Sequence, residues 1–322
     1  MKLVVQGAKQ ISDVPGLQEA AAGIDIACAP DVEALAQQLP GADVMLGWDF
    51  RGRDLADCWH CTDSLKWIHW GGAGVDAALF PELVESDVML TNARGIFDRA
   101  MAEYVLGYML SEAKLFRQVL AAQSQRHWQY RMTDKLAGQS ALVFGVGSIG
   151  REIARVLKAM DLKVSGVGRT ARPGDDCFET IHAASDAGTI VGDPDWVIGV
   201  MPSTPETERI FDAGIFTAMK PTARFINVGR GCALDENALL EALSGGAIAG
   251  AMLDVFDTEP LPPDNPLWTA PNLFVSPHIS GDYKQHKADM AQQFIDNLVR
   301  YQQGQPLINT VNKQLGFVSD PS

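Results

Sequence analysis

The sequence is poor in cysteine, short of basic charge and without a long apolar run. Five cysteines in 322 residues are too few and too scattered for a disulfide framework. The odd count suits a reducing compartment, so a cytoplasmic protein is expected. Lys plus Arg number 26 against 40 Asp plus Glu, a net charge of −14. That balance excludes a duplex nucleic-acid binder, which needs a basic face, and a polybasic membrane anchor. No apolar stretch reaches the roughly 18 residues that a membrane span requires. Residues 1–7 are interrupted by Gly7 too early for a signal peptide and read as a strand ending in a turn. There is no Walker-type phosphate loop and no HExxH helix, so ATPase and zinc-protease chemistry lack a basis. Cys58-Trp59-His60-Cys61 has metal-like spacing. It has no second Cys or His pair to complete four ligands, and no metal is expected.

What is present is a regular alternation. Short apolar runs at 2–6, 24–27, 43–47, 65–69 and 88–91 are separated by helical patterns, the signature of βαβ units and parallel sheets. In 31–39, Asp31 caps and Val32, Leu35, Ala36 and Leu39 form one apolar stripe. A second series runs through 141–144, 163–167, 196–200, 224–228, 251–255 and 273–276. The expected fold class is therefore α/β, with doubly wound parallel sheets. A continuous helical pattern over 99–127 is read as one long helix joining the two series, and 287–301 as an amphipathic helix returning to the first. Residues from about Phe317 read as a loose tail.

The sharpest local motif is Phe144-Gly145-Val146-Gly147-Ser148-Ile149-Gly150. It lies between a strand and a helix, as a dinucleotide site requires. Gly145 permits the tight turn, Gly147 lets a pyrophosphate approach the backbone, and Gly150 lets helix and strand pack closely. Ser148 and Ile149 open the helix whose free amides attract phosphate. An NAD site presents a carboxylate about 20 residues further on. Here Gly168-Arg169-Thr170-Ala171-Arg172 follows instead. The missing carboxylate relieves repulsion toward a 2′-phosphate, and Arg169, Thr170 and Arg172 supply donors for it. NADP(H) is expected as the preferred coenzyme, with NAD(H) as the alternative.

Three strands of the second series end beside reactive side chains: Arg230, Glu259 and His278. In an open parallel sheet ligands bind beyond the carboxyl ends of the strands, so the three can converge. Together they suit reduction of a 2-oxo acid. His278 gives a proton to the carbonyl oxygen, Glu259 orients the imidazole, and Arg230 binds the carboxylate and polarises the carbonyl.

These motifs, with Gly72-Ala73-Gly74-Val75-Asp76, Met201-Pro202-Ser203-Thr204-Pro205-Glu206-Thr207, Asn227-Val228-Gly229-Arg230-Gly231 and Ser276-Pro277-His278, recur in order along nearly the whole chain. The sequence resembles the D-isomer-specific 2-hydroxyacid dehydrogenases, and within them the NADPH-dependent glyoxylate and hydroxypyruvate reductases. The resemblance implies two Rossmann-like domains with a cleft between them: a discontinuous substrate-binding domain, 1–97 and 284–322, and a coenzyme domain, 98–283. It implies Arg230, Glu259 and His278 as the catalytic group, and the Ala73-Gly74 backbone as the binder of the substrate carboxylate. It further implies coenzyme contacts from Pro202 and Ser203, from the backbone at Val228 and from Asp254, and a homodimer; the segment around Trp128 and Tyr130 is read either as an arm that reaches the partner or as buried within its own chain. Glu259 stands where formate-oxidising relatives carry Gln, and no regulatory domain is expected after residue 322. A coenzyme-sensing corepressor and a phosphite-oxidising enzyme are the competing readings. Trp48, Phe50, Trp268 and Tyr283 are read as walls of a side-chain pocket or as core.

Overall fold

The computed structural model describes every residue except Arg51, Arg53 and 319–322. The chain forms two compact units, Met1–Phe97 with Tyr283–Ser322, and Asp98–Asp282.

The first unit carries β1 (Lys2–Gln6), β2 (Asp25–Ala29), β3 (Val44–Gly47), β4 (Trp67–Trp70) and β5 (Met89–Asn92). They form a parallel sheet in the order β2-β1-β3-β4-β5. The middle strands are buried throughout, which is why they read as unbroken apolar runs rather than as alternating ones. The helix His286–Gln302 belongs to this unit and buries Met290, Phe294 and Leu298, with Phe294 stacked on Trp67 at 5.5 Å. The expected loose tail is corrected at its start. Phe317 bridges to Asn312, whose amide donates to the Phe317 carbonyl at 3.0 Å. Residues 319–322 of that expected tail lie outside the described residues.

β4 holds an unusual group. His69 is 1% exposed, and its Nδ1 lies 2.8 Å from Thr91 Oγ1 on β5. Its Nε2 is buried and without a hydrogen-bond partner among the described residues. Burial pushes the imidazole from 6.5 down to about 3, so the folded protein holds it neutral. The unfolded chain takes up that proton as pH falls below 6.5 while the folded chain does not. This depressed group thus contributes stability that is present above pH 6.5 and lost on acidification, by about 1.4 kcal/mol per pH unit. His69→Leu is expected to flatten the fall in unfolding free energy between pH 6.5 and 4, read by urea titration. An unchanged slope contradicts the assignment.

The second unit carries β6 (Ser140–Phe144), β7 (Lys163–Gly168), β8 (Arg172–Pro173), β9 (Thr180–Ala183), β10 (Trp196–Gly199), β11 (Arg224–Asn227), β12 (Gly250–Leu253) and β13 (Leu273–Val275). Their order is β13-β12-β11-β10-β6-β7-β9-β8, parallel except for the antiparallel β8–β9 pair. The chain winds outward in both directions from β6, so the switch point lies between the carboxyl ends of β6 and β10. One face of the sheet is held by edge-on phenyl contacts: Phe144–Phe211 at 4.9 Å, Phe211–Phe225 at 4.8 Å and Phe216–Phe225 at 5.3 Å. Each such contact adds about 0.5–1.5 kcal/mol beyond area burial.

The single helix expected over 99–127 is two helices, Asp98–Ala113 and Phe116–Ser124, both in this unit. The break is at Leu115, which takes the left-handed conformation at φ 56°. No Gly or Pro marks it; tertiary contacts supply a cause. Arg117 turns back to Glu112 at 2.7 Å, and Glu112, 6% exposed, also meets Arg224 at 3.3 Å.

Candidate active site

The dinucleotide turn is built from packing as much as from conformational freedom. Gly145 follows β6 at φ 108°, a region that L side chains rarely enter. A Cβ on Gly150 would lie 1.8 Å from the Gly145 carbonyl oxygen, so the helix Ser148–Lys158 starts against the turn itself. Gly147 caps that helix without a side-chain partner, and nothing stands within 4 Å of the position its Cβ would occupy. Ser148 Oγ donates to Asp98 Oδ1 at 3.5 Å, and Ile149 is half-buried. Open space in front of the first amides of the helix fits a bound diphosphate. Arg169, Thr170 and Arg172 are all exposed beyond β7. Arg172 folds back so that its Nη1 lies 3.6 Å from the Cβ position of Gly168, where a carboxylate is missing.

Beyond β10, Pro202 and Ser203 are exposed. Thr207 Oγ1 donates to the Pro202 carbonyl at 2.8 Å, and Cys232 Sγ donates to Ser203 Oγ at 3.2 Å. Val228 is buried, with its amide on the Gly199 carbonyl at 3.0 Å.

Beyond β11, buried Asn227 shapes the loop that carries Arg230. Its Nδ2 donates to the Arg230 carbonyl at 3.0 Å, and its Oδ1 accepts from the Gly229 amide at 3.1 Å. The half-buried guanidinium donates through Nη1 to the Gly229 carbonyl at 2.9 Å. Gly231 lies directly on the segment after β12, since its Cβ would be 2.0 Å from the Phe256 carbonyl carbon. The loops that carry Arg230 and Glu259 are thereby brought together.

The Glu259 carboxylate spans from that second loop to the third. Oε1 accepts from the Phe256 amide at 3.0 Å, and Oε2 lies 2.7 Å from His278 Nδ1. Burial pushes this carboxyl up. The His278 hydrogen bond, the Phe256 amide and the charge of Arg230 outweigh it and hold the group below its ordinary value. Glu259 therefore stays ionised near neutrality, and Arg230 is close enough to be felt there.

His278 itself sits at φ 53°, a strained conformation for a residue with a side chain. Asp254 holds it there. This carboxylate is 0% exposed. It accepts from Ser276 Oγ at 2.6 Å, the Ile279 amide at 2.9 Å and the Ser280 amide at 2.8 Å. The sequence suggests Asp254 as a coenzyme contact; in the structure both its oxygens brace the turn around His278. Asn227, Gly231 and Ser276 are parts of the site whose roles residue type alone did not reveal. Their signal is positional, a small or amide residue beside a reactive one at a strand end.

Arg230, Glu259, His278 and the dinucleotide turn thus belong to one unit, each just past the carboxyl end of a strand of one sheet. Ala73 and Gly74 belong to the other unit, where Asn92 Nδ2 donates to the Ala73 carbonyl at 2.6 Å. In that same unit Trp48 is buried, 8% exposed, and Tyr283 donates its hydroxyl to Asp289 at 2.5 Å. In the second unit Trp268 is half exposed, with Nε1 on the Pro262 carbonyl at 2.9 Å. Cys58 donates its thiol to the Val32 carbonyl at 3.2 Å, and no cluster of three metal-ligating side chains occurs among the described residues. Among them too, no helix is long and apolar enough to cross a membrane.

Known proteins share both sequence and fold. Residues 106–280 match the family described as D-isomer specific 2-hydroxyacid dehydrogenase, NAD binding domain. The chain is 30% identical over 299 residues to glyoxylate/hydroxypyruvate reductase A of Serratia proteamaculans, covering 88% of this chain and 94% of that protein. It is 32% identical over 249 residues to glyoxylate/hydroxypyruvate reductase B of Pectobacterium carotovorum, covering 75% and 77% respectively. The solved structure of an Aeromonas salmonicida protein of the D-isomer specific 2-hydroxyacid dehydrogenase family superposes with a TM-score of 0.83 at 32% identity, over 97% of this chain and 99% of that one. An NADPH-dependent glyoxylate/hydroxypyruvate reductase from Sinorhizobium meliloti, solved with NADP and sulfate, gives 0.83 at 28% identity, over 98% and 100%.

Proposed function

The chain belongs to the D-isomer-specific 2-hydroxyacid dehydrogenase family of oxidoreductases, and from that premise we propose that it reduces a small 2-oxo acid, of the glyoxylate or hydroxypyruvate type, to a D-2-hydroxy acid with NADPH. The observation that carries this reading is the 2.7 Å contact of Glu259 with His278, inside the electrostatic reach of Arg230 and on the same sheet edge as the dinucleotide turn. When bound, the nicotinamide coenzyme supplies the hydride. Glu259 fixes the imidazole through Nδ1, so Nε2 is the nitrogen that hands a proton to the carbonyl oxygen. Arg230 holds the substrate carboxylate and draws charge toward the oxygen that becomes negative. The amides of Ala73 and Gly74 are proposed to bind the substrate carboxylate, with 1–97 and 284–322 as the substrate-binding domain and 98–283 as the coenzyme domain.

Gly145, Gly147, Ser148, Ile149 and Gly150 form the diphosphate cradle, while Pro202, Ser203 and the backbone at Val228 line the region toward the nicotinamide, which Asp254 serves from behind by holding the turn that carries His278. Arg169, Thr170 and Arg172 take the 2′-phosphate. The protein is further proposed to work in the cytoplasm as a homodimer. Trp128 at 98% exposure, Tyr130 at 86% and Met132 at 85% follow an apolar helical face of Phe116, Val119 and Leu120, and they support an intersubunit role.

A steady-state screen of glyoxylate, hydroxypyruvate, pyruvate, branched 2-oxo acids and phosphite with both coenzymes tests the reading. A charge-assisted hydrogen bond to phosphate contributes about 1.5–3 kcal/mol, so kcat/KM with NADPH should exceed that with NADH by roughly tenfold or more. Preference for NADH overturns the coenzyme assignment. Coenzyme binding without turnover of any substrate supports the sensor reading instead.

A further inference from the structure

The loop that reads the coenzyme's 2′ position carries as much acid as base. Residues 169–176 contain Arg169 and Arg172 but also Asp175 and Asp176. A 2′-phosphate approaching such a segment meets cancelling charges unless the arginines and the carboxylates are kept apart or the carboxylates are neutralised.

The structure does both through one residue. Arg151 stands on the helix Ser148–Lys158, immediately after Gly150 of the diphosphate turn. Its Nη2 reaches Asp175 Oδ2 at 2.7 Å, with both side chains about one-third exposed. The other oxygen of Asp175 accepts from the Cys177 amide at 2.9 Å and the Phe178 amide at 3.1 Å, and the Asp175 amide donates to the Phe178 carbonyl at 2.8 Å. This turn closes the β8–β9 hairpin, in which Arg172 pairs with Ile181 and Pro173 with Thr180. Phe178, 1% exposed, lies beneath the Arg151 guanidinium at 5.9 Å. From the far end of the same helix, Lys158 Nζ donates to the Asp176 carbonyl at 2.6 Å. The diphosphate helix and the hairpin are thus tied into one body, and the Asp175 charge is paired on the helix side.

We propose that Arg151 is a positioning residue for coenzyme selectivity: by binding Asp175 it presents Arg169 and Arg172 to a 2′-phosphate and removes an opposing charge. The inference rests on the NADPH reading above. It requires no contact between Arg151 and the coenzyme.

Isothermal titration of NADP⁺, NAD⁺ and 2′,5′-ADP into the wild type, Arg151→Met, Arg151→Lys, Asp175→Asn and the double variant Arg151→Met/Asp175→Asn tests it. Arg151→Met should weaken NADP⁺ and 2′,5′-ADP by on the order of tenfold and leave NAD⁺ within about twofold. In turnover, KM for NADPH should rise with kcat unchanged. Arg151→Lys should keep part of the affinity. The double variant should recover most of it, because the Asn amide oxygen still accepts from the Cys177 and Phe178 amides but carries no charge. Equal weakening of NADP⁺ and NAD⁺, or no recovery in the double variant, overturns the inference. Tighter wild-type binding of NAD⁺ than of NADP⁺ overturns the NADPH reading itself, and the inference with it.

Discussion

Replacing His278 with Asn is expected to lower kcat by on the order of 10²-fold or more, the usual contribution of a positioned general acid. The substitution is chosen because it spares the fold. Position 278 has φ 53°, and Asn is among the residues that tolerate this region best. The Asn amide can still donate to Glu259 Oε2, which His278 Nδ1 meets at 2.7 Å, so the carboxylate keeps a partner. What is lost is the imidazole that hands a proton to the carbonyl oxygen in the proposed reaction. Turnover at saturating 2-oxo acid and NADPH measures the loss, and the urea midpoint shows that folding is retained. Near-normal turnover in a folded variant removes His278 from the chemistry.

Gly231→Ala carries the second large effect. Its new methyl would sit 2.0 Å from the Phe256 carbonyl carbon and 2.1 Å from the carbonyl oxygen. Both are backbone atoms, so relief requires the Arg230 loop and the Glu259 loop to move apart. Overpacking of this kind costs about 1–3 kcal/mol of stability. Displacement of a catalytic pair by about 1 Å costs roughly 10²-fold in rate. Both falls are expected together, in chemical denaturation and in kcat/KM. A variant with wild-type kcat/KM would show that the two loops need not be in register.

The residues that the proposed chemistry demands were the most legible. Glycines at 145, 147 and 150 after an apolar run, and Arg230, Glu259 and His278 at strand ends, announce themselves by type and context. The structure adds the 2.7 Å Glu259–His278 contact and the influence of Arg230 on Glu259. The buried strands were legible because parallel sheets covered on both faces leave continuous apolar runs.

Features set by tertiary contact were not. The two-residue strand β8 has no periodicity to detect; its pairing follows from the Asp175 turn and from Gly174, whose Cβ would lie 2.1 Å from the Glu179 carbonyl oxygen. The break at Leu115 accompanies ion pairs to buried Glu112, a residue 112 positions from Arg224 in sequence. Asp254 suggested coenzyme by resemblance, and only the positions of Ser276, Ile279 and Ser280 reveal a carboxylate bracing a strained histidine.

The proton-delivery unit is tested most directly by a double-mutant cycle on kcat with Glu259→Gln, His278→Asn and the pair combined. In the proposed mechanism Glu259 acts on the reaction through the imidazole, so once His278 is gone its replacement has little left to remove. The double variant is therefore expected to turn over about as slowly as His278→Asn alone. Multiplying losses, with the double variant slower by the full Glu259→Gln factor, would contradict a carboxylate and an imidazole working as one group.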